Sequence, residues 1–426
     1  MPLSQRTQGI PPVTPFRPMP AFAAGDFALG LLLGLTSLYD VEYVGHIYLV
    51  EFFLAPIGLA GLSLGLLRPL VGPERRRLLG LFAIAALGYV VSDVLRHTAS
   101  ADYLRGWARL FFLLTDSLGF LVLLARRRSA LPAYLLGCAL AGLFLLLREH
   151  TSLQEWKFGW ATPLALVVVF CAWWWGEPVG AGILAITGAV NVFMDYKSLG
   201  GVCFLAAFLA AYARWGRNSV RALRALLAVT LLPAAVIGGT FIYHIAYRDD
   251  QKAVRSQGGE AERQAALMAA SRAIVRSPIF GYGSWAKDAD SAAYYIERRA
   301  ALEGNLVLAK ADNVNDFDRD AIQSHSQILQ AWTEGGILAA AFFIYYAVLL
   351  FWALAYVVRR RPYDHAVYVH LYVLLLAIWD AFFSPFAGDH RMSIGLAAAL
   401  TLWLLTAERT RVTTMTWNPM MAGSRA

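Results

Sequence analysis

Apolar runs of about twenty residues recur along most of this chain, with short polar connections between them. A helix needs a run of that length to cross about 30 Å of hydrocarbon at a rise of about 1.5 Å per residue. The runs are continuous and do not alternate apolar with polar residues, which excludes a membrane β-barrel. About twelve are recognisable, near residues 21–39, 44–67, 78–95, 104–125, 130–147, 159–176, 178–194, 199–213, 222–245, 327–357, 366–384 and 392–407.

Composition supports the same fold class. Hydrophobic residues make up 58% of the 426 positions and charged residues 15%, and the mean hydropathy is +0.52. Soluble domains average about 45–50% apolar and about 25% charged residues. The sequence therefore predicts an all-α fold: a polytopic helical membrane protein with about twelve transmembrane helices and one long periplasmic loop.

The distribution of Arg and Lys predicts the orientation, because cytoplasmic loops carry an excess of them. Arg clusters occupy residues 68–77, 126–128, 214–224 and 359–361, and both tails carry further Arg. This pattern places the tails 1–20 and 408–426 in the cytoplasm and the loop 246–324 outside. Residues 21–245 then hold transmembrane helices 1–9, and residues 325–407 hold helices 10–12. The net charge of +8 is attributed to this topology and to contact with anionic membrane lipids, and nucleic acid is not an expected partner.

The external segment contains most of the residues with chemical potential. Gly259 to Val275 is dense in Ala, Glu, Gln, Arg, Leu and Met, which predicts a helix that ends before Pro278. Arg272 and Arg276 share one face of this helix. A Gly-spaced turn follows at residues 278–283, and the Asp-rich remainder is expected to cover the bundle as a flexible lid. At residues 324–330 the polar segment ends, and the imidazole of His325 lies where an external loop meets a membrane helix.

Three motifs in this order resemble those of a known family. His325 and Ser326 are followed by nine residues to Gly336, with Ala339 three positions further on. Arg263 lies fifteen residues before the Pro278 turn, and Lys197 occupies a short external loop where the family usually has Arg. With these motifs, the chain resembles the O-antigen ligase and Wzy-type polymerase superfamily, membrane glycosyltransferases of the GT-C class.

The resemblance implies a reaction and its participants. Such enzymes transfer a glycan from a polyprenyl-diphosphate donor to a sugar hydroxyl at the periplasmic face of the bacterial inner membrane, without a metal, cofactor or nucleotide sugar. The acceptor is a second lipid-linked glycan in a polymerase and the lipid A core in a ligase. A chain-length regulator or a flippase is a candidate protein partner.

The residues that match these motifs receive roles from the chemistry. His325 would accept the proton of the incoming hydroxyl, because an imidazole can be neutral near pH 7. Arg263 and Lys197 would stabilise the leaving diphosphate. Further substrate-binding candidates are Arg272, Arg276, Arg391, Tyr282 and Ser326.

Each assignment has a simpler alternative. His325 could serve only as an interfacial hydrogen-bonding residue, Arg263 could lie on a solvated helix face, and Lys197 could extend to the membrane edge. For Arg272 and Arg276, contact with lipid phosphate is favoured, and for Arg391 interface anchoring.

The choice between activities also has alternatives. Four acidic residues inside apolar runs, which are costly there unless paired, support a transporter or flippase of lipid-linked glycans: Glu51, Asp93, Asp116 and Asp380. Between polymerase and ligase, the replacement of Arg by Lys197 favours polymerase.

Overall fold

A computed structural model describes residues 23–42, 46–67, 72–127, 129–151, 155–157, 159–176, 178–215, 250–303, 321–322, 324–360, 365–386 and 390–417. Thirteen helices and one small β-hairpin form in these residues. The helices are α1 Ala24–Leu35, α2 Glu51–Ser63, α3 Pro73–Arg96, α4 Ser100–Arg126, α5 Ala130–Arg148, α6 Ala161–Trp175, α7 Val179–Phe193, α8 Lys197–Trp215, α9 Asp250–Arg276, α10 Ala289–Glu303, α11 Gln327–Arg360, α12 Val367–Phe383 and α13 His390–Trp417.

Eleven of the thirteen helices fall on predicted apolar runs, and α9 and α10 lie between the runs. Every run except 222–245, which lies outside the described residues, contains a helix. Within the described part of the chain, four helices are long and apolar enough to cross a membrane: α3, α4, α5 and residues Gln327–Arg359 of α11. Five shorter helices are also apolar, namely α1, α2, α6, α7 and α12. The fold is that of a helical membrane protein, and the number of crossings stays a prediction.

The hairpin was not predicted from the sequence. Strands β1 Asp40–Glu42 and β2 His46–Tyr48 pair antiparallel, with Val41 opposite Ile47. Strand β1 lies between the first two apolar runs, and β2 belongs to the second run, which was expected to be helical from residue 44. It contains β-branched and aromatic residues that favour extended backbone, and α2 begins only at Glu51.

Packing brings helices from both halves of the chain together. Helix α11 lies against α3, α12 and α13, while α4 packs on α2 and α13. Aromatic side chains fill the contact between α3 and α11, where Phe82 meets Phe342 edge to face with ring centroids 5.3 Å apart. Helices α9 and α10 pack on each other, and α9 also contacts α11. Residues 250–303 are therefore built onto the start of α11.

Candidate functional site

His325 precedes the first turn of α11 and is held there by its neighbour. The hydroxyl of Ser326 donates a hydrogen bond to the carbonyl of Ala381 in α12, with Oγ and O 3.0 Å apart. The same oxygen accepts from the amide of Leu329 at 3.5 Å, and the carbonyl of Ser326 accepts from the amide of Gln330 at 2.9 Å. Ser326 is thus the N-cap of α11. It fixes the backbone beside His325 against the end of α12.

A carboxylate of α9 faces the imidazole of His325. The Nε2 atom of His325 lies 3.5 Å from Oε1 of Glu262, and the two side chains are 32% and 42% exposed. Interaction with His325 lowers the pKa of the Glu262 carboxyl; burial opposes this shift, and the positive charges of Arg299 and Arg263 support it. A histidine and a carboxylate therefore share a site that remains open to solvent.

Arg263 follows Glu262 in α9 and connects this site to the loop before α8. Burial raises the pKa of Tyr196, the negative charge of Asp380 acts in the same direction, and the positive charge of Arg263 opposes both. Arg263 therefore lies within electrostatic reach of Tyr196. Lys197, the next residue in the chain, is 62% exposed, with its Nζ atom 3.6 Å from Oδ1 of Asp195. Arg263 thus adjoins the His325–Glu262 contact through its neighbour Glu262, while Lys197 begins α8 and has no described contact with His325.

The Gly-spaced turn and the helix motif form a single structural unit. Gly336 has a positive φ of 68° with ψ of −164°, which interrupts the helical backbone of α11. A Cβ atom at this position would collide with the carbonyl oxygen of Ile279. Only glycine combines this conformation with so close an approach. The glycine that ends the nine-residue spacing after Ser326 is therefore required by the turn that docks on it.

Backbone hydrogen bonds complete this docking. The interruption at Gly336 leaves carbonyl groups of α11 without a helical partner, and the turn supplies donors. The amide of Tyr282 donates to the carbonyl of Thr333 at 2.7 Å, and the amide of Gly283 donates to Glu334 at 2.9 Å. In return, the amide of Ile337 donates to the carbonyl of Pro278 at 3.0 Å. Two motifs that are far apart in sequence thus complete each other's backbone hydrogen bonds.

The last turn of α3 holds the other side of this turn. Arg96 donates from Nε to the carbonyl of Gly281 at 2.9 Å and from NH2 to Oγ of Ser277 at 2.6 Å. Its guanidinium lies over the ring of Tyr282, 4.7 Å from the centroid. One turn earlier, the carboxylate of Asp93 accepts from the backbone amide of Ser284 at 2.6 Å. Tyr282 was predicted to bind substrate, and here its ring and backbone contact the protein itself.

A buried polar cluster lies below the turn, and sequence reasoning did not identify it. Arg109 of α4 pairs with Glu334 of α11, and these side chains are 2% and 3% exposed. The hydroxyl of Tyr89 donates to the same carboxylate at 2.7 Å, and Gln330 donates to its other oxygen at 3.1 Å. Arg109 also donates to the carbonyl of Phe386 at 2.8 Å. These bonds join α3, α4 and α11 to the segment after α12.

The remaining predicted substrate-binding arginines have protein partners. Arg272 lies over the ring of Tyr294 in α10, 4.6 Å from the centroid. Arg276 pairs with Asp290, with 2.9 Å between NH1 and Oδ2. Arg391 is buried and bidentate on Glu51, with one of its two contacts at 2.6 Å. The structure does not bring these three together with His325 in any described contact.

The acidic residues inside apolar runs differ in how they are satisfied. Glu51 has Arg391 as its partner, and Asp93 accepts three hydrogen bonds, two from Ser284 and one from Trp107 at 2.8 Å. Asp380 accepts from the hydroxyl of Ser384 at 2.7 Å. Both carboxyl oxygens of Asp116 are buried, and no residue in the described part of the chain donates a hydrogen bond to them.

Two signals in the sequence pointed toward the missed residues. Glu262 is the acidic neighbour of Arg263, and Arg109 and Glu334 are charged residues at the edges of apolar runs. A buried charge in such a run calls for a partner of opposite sign. Their pairing across 225 positions could not be read from spacing. Among the described residues, no group of three or more His, Cys, Asp or Glu is arranged to hold a metal ion.

Comparison with known proteins agrees with the motifs. Residues 183–344 match the family model described as O-antigen ligase. The matched range runs from α7 into α11 and contains Lys197, Arg263, the Pro278 turn, His325 and Gly336. Searches against curated proteins and against solved structures gave no match. Residues 183–344 therefore match the domain of the O-antigen ligase family, and this match supports the resemblance to the O-antigen ligase and Wzy-type polymerase superfamily.

Proposed function

We propose that this membrane protein transfers a glycan from a polyprenyl-diphosphate donor to a sugar hydroxyl, with His325 as the general base. The observation that carries the proposal is the partly exposed contact of His325 with Glu262, with Nε2 and Oε1 3.5 Å apart, beside the family position Arg263 in α9. The cap at Ser326 holds His325, and the third family position, Lys197, is the first residue of α8. An anionic leaving group at headgroup height needs cations of this kind beside a proton acceptor.

In the proposed reaction, the acceptor hydroxyl gives its proton to His325 while its oxygen attacks the anomeric carbon of the donor. The bond between that carbon and the diphosphate oxygen breaks, and the electron pair leaves with the polyprenyl diphosphate. Arg263 and Lys197 stabilise the charge that develops on this group. Every atom of the step comes from donor, acceptor and protein, so no co-reactant is required.

Glu262 sets the tautomer of the base in this scheme. A carboxylate 3.5 Å from Nε2 favours a proton on that nitrogen, which leaves Nδ1 to accept the proton of the hydroxyl. The separation is long for a hydrogen bond, and catalytic hydrogen bonds in unliganded sites commonly tighten when substrate binds. We infer that Glu262 is a positioning residue for His325.

The acceptor we propose is a second lipid-linked glycan, so that the product is a polymer built at the periplasmic face of the inner membrane. The exposed Lys197 in place of the usual Arg supports this acceptor. A ligase that uses the lipid A core is the second candidate, favoured by the description of the matching family. The transporter reading loses support, because Glu51 and Asp93, two of the acidic residues that suggested it, are satisfied within the protein.

Reconstitution with defined substrates tests the proposal. Purified protein in proteoliposomes receives a polyprenyl-diphosphate-linked repeat unit, alone or together with lipid A core. A polymerase produces a ladder of longer glycans from the donor alone, whereas a ligase produces a modified core only when the core is present. Movement of the donor across the bilayer with neither product would identify a transporter and refute the transferase.

A further inference from the structure

Helix α9 has two faces of different character. One face is lined by alanines that are fully buried against neighbouring helices, including Ala265, Ala269 and Ala273. On the opposite face Leu267 is 53% exposed and Val275 is 80% exposed. From residue 264 to 275 this exposed face holds no charged side chain: its members are Gln264, Leu267, Met268, Ser271 and Val275.

Helix α10, its packing partner, shows the contrast. The exposed positions of α10 include Asp290, Glu297 and Arg298, as expected for a helix whose outer face is solvated. Both helices belong to the same external segment and both are partly exposed, so location in the chain does not explain the difference. An uncharged exposed face on only one of them indicates that this face meets a medium less polar than water.

The exposed apolar surface continues into the turn that follows α9. Ile279 is 55% exposed and Phe280 is 44% exposed. The hydroxyl of Ser92, one turn before the end of α3, donates to the carbonyl of Phe280. The indole nitrogen of Trp332 donates to the carbonyl of Pro278 at 2.9 Å. Ile279 and Phe280 are therefore at the level where two apolar helices, α3 and α11, reach their ends.

Those two helices expose apolar residues at the same level. Val94 and Leu95 of α3 are 64% and 54% exposed, and Ile337 of α11 is 38% exposed. The amide of Ile337 donates to Pro278, so the exposed side chains of the turn adjoin those of helices that are long and apolar enough to cross a membrane. The apolar surface of the external segment is continuous with the surface that a bilayer would cover.

We propose that α9 is an interfacial helix, and that its apolar face rests in the bilayer leaflet at the Arg96 end of α3. The interfacial face is Leu267, Met268, Val275, Ile279 and Phe280. Helices of this kind bury an apolar face at the boundary of headgroups and acyl chains and carry basic residues beside it. Arg263 and Arg272 are the basic residues beside this face. Trp332 adds a tryptophan, a residue type enriched at the membrane–water interface. Glu262 and Arg263 are thereby held at headgroup height. The inference rests on membrane location and exposure, and it stands whether or not the proposed transfer reaction is correct.

Site-directed spin labelling tests the depth of this face. In a background where Cys138, Cys171 and Cys203 are replaced by Ala, single Cys residues are introduced as Val275→Cys, Phe280→Cys and, as a matched control on α10, Ala293→Cys. The labelled proteins are reconstituted in phospholipid vesicles, and collision with oxygen and with a water-soluble nickel chelate is measured. We expect oxygen to be the more effective relaxant at 275 and 280, and the nickel chelate at 293.

Two results would overturn the proposal. Access of the nickel chelate at 275 and 280 equal to that at 293 would mean that the face is solvated. Protection from both relaxants, with dipolar broadening between labels, would mean that a second copy of the chain covers it. If the labelled variants fail to fold, the unmodified protein in vesicles is photolabelled with a phospholipid reactive at the glycerol level. Labelling should concentrate in residues 264–280 over 289–303, and equal labelling of the two would refute the interfacial helix.

Discussion

Two groups of charged residues lie near the start of α11, and they differ in exposure and in the use of their charges. The Arg109–Glu334 pair is almost fully buried, and the carboxylate of Glu334 also accepts hydrogen bonds from Tyr89 and Gln330. The His325–Glu262 pair is about one third exposed. Buried pairs hold helices in place and are costly to break, whereas partly exposed pairs can exchange their partner for a substrate. The buried pair therefore stabilises the fold around the candidate site, and the partly exposed pair belongs to the site itself.

The largest effect is expected when the buried pair is broken. Arg109→Leu leaves the carboxylate of Glu334 buried without its counter-charge, which costs about 3–5 kcal/mol. We expect a large fall in the melting temperature of the detergent-solubilised protein and loss of activity with it. Arg263→Leu is the matched control, because this arginine is exposed, and it should melt like the wild type. Equal melting temperatures for both variants would show that the buried pair contributes no more to stability than the exposed arginine.

Substitution of His325 should have the opposite signature. As a general base it contributes roughly 10²–10⁴-fold to the transfer rate, so His325→Ala should lower the rate by about 10²-fold or more while melting temperature and donor affinity stay close to wild type. His325→Gln keeps a hydrogen-bonding side chain but cannot take up a proton, and it should fail as badly. Near-normal glycan transfer by His325→Gln in the reconstituted assay would reduce His325 to a structural residue.

The non-helical backbone at Gly336 in α11 also stabilises the structure around the candidate site. Gly336→Ala would force a Cβ against the carbonyl of Ile279 at a backbone conformation with positive φ, at a cost of about 1–3 kcal/mol. We expect a moderate fall in melting temperature and faster proteolysis within residues 250–303, because the Pro278 turn would detach. Gly80→Ala, in α3, is a control with ordinary helical backbone and open space around the added Cβ. Unchanged proteolysis in Gly336→Ala would show that docking of the Pro278 turn on α11 does not depend on Gly336.

Much of this architecture could be predicted from the sequence. Apolar length alone placed helices in every described run, and motif spacing singled out His325, Arg263 and Gly336. Motif spacing could not show why Gly336 is required, because the reason is its close contact with the carbonyl of Ile279, which is distant in the sequence. Glu262 and the pairing of Arg109 with Glu334 were missed for the same reason: a partner across more than sixty positions leaves no periodic signal. Helix α10 was also missed, because its polar composition resembled a covering loop and its stability comes from packing on α9.

The cations of the site provide a smaller test. If Arg263 binds the diphosphate through two parallel hydrogen bonds, Arg263→Lys should lose activity nearly as far as Arg263→Ala, because Lys offers a point charge without a planar fork. Lys197→Arg is the mirrored change and should be tolerated or beneficial. Rates are measured at several donor concentrations, with protein level and melting temperature as controls. Full activity in Arg263→Ala would remove it from the site.

The smallest expected effect concerns Glu262 and appears mainly in the pH dependence. Its carboxyl has a lowered pKa in the folded protein, so the stabilisation from this contact is present above the unfolded pKa and is lost as pH falls through the folded one. Glu262→Gln should therefore lower the maximal rate by less than about 10-fold and reduce the fall in melting temperature that acidification causes, because the variant has no carboxylate contact to lose. Glu297→Gln, on the exposed face of α10, should leave both unchanged. A Glu262→Gln variant whose melting temperature falls on acidification as far as that of the wild type would show that this carboxylate does not stabilise the fold through its contact with His325.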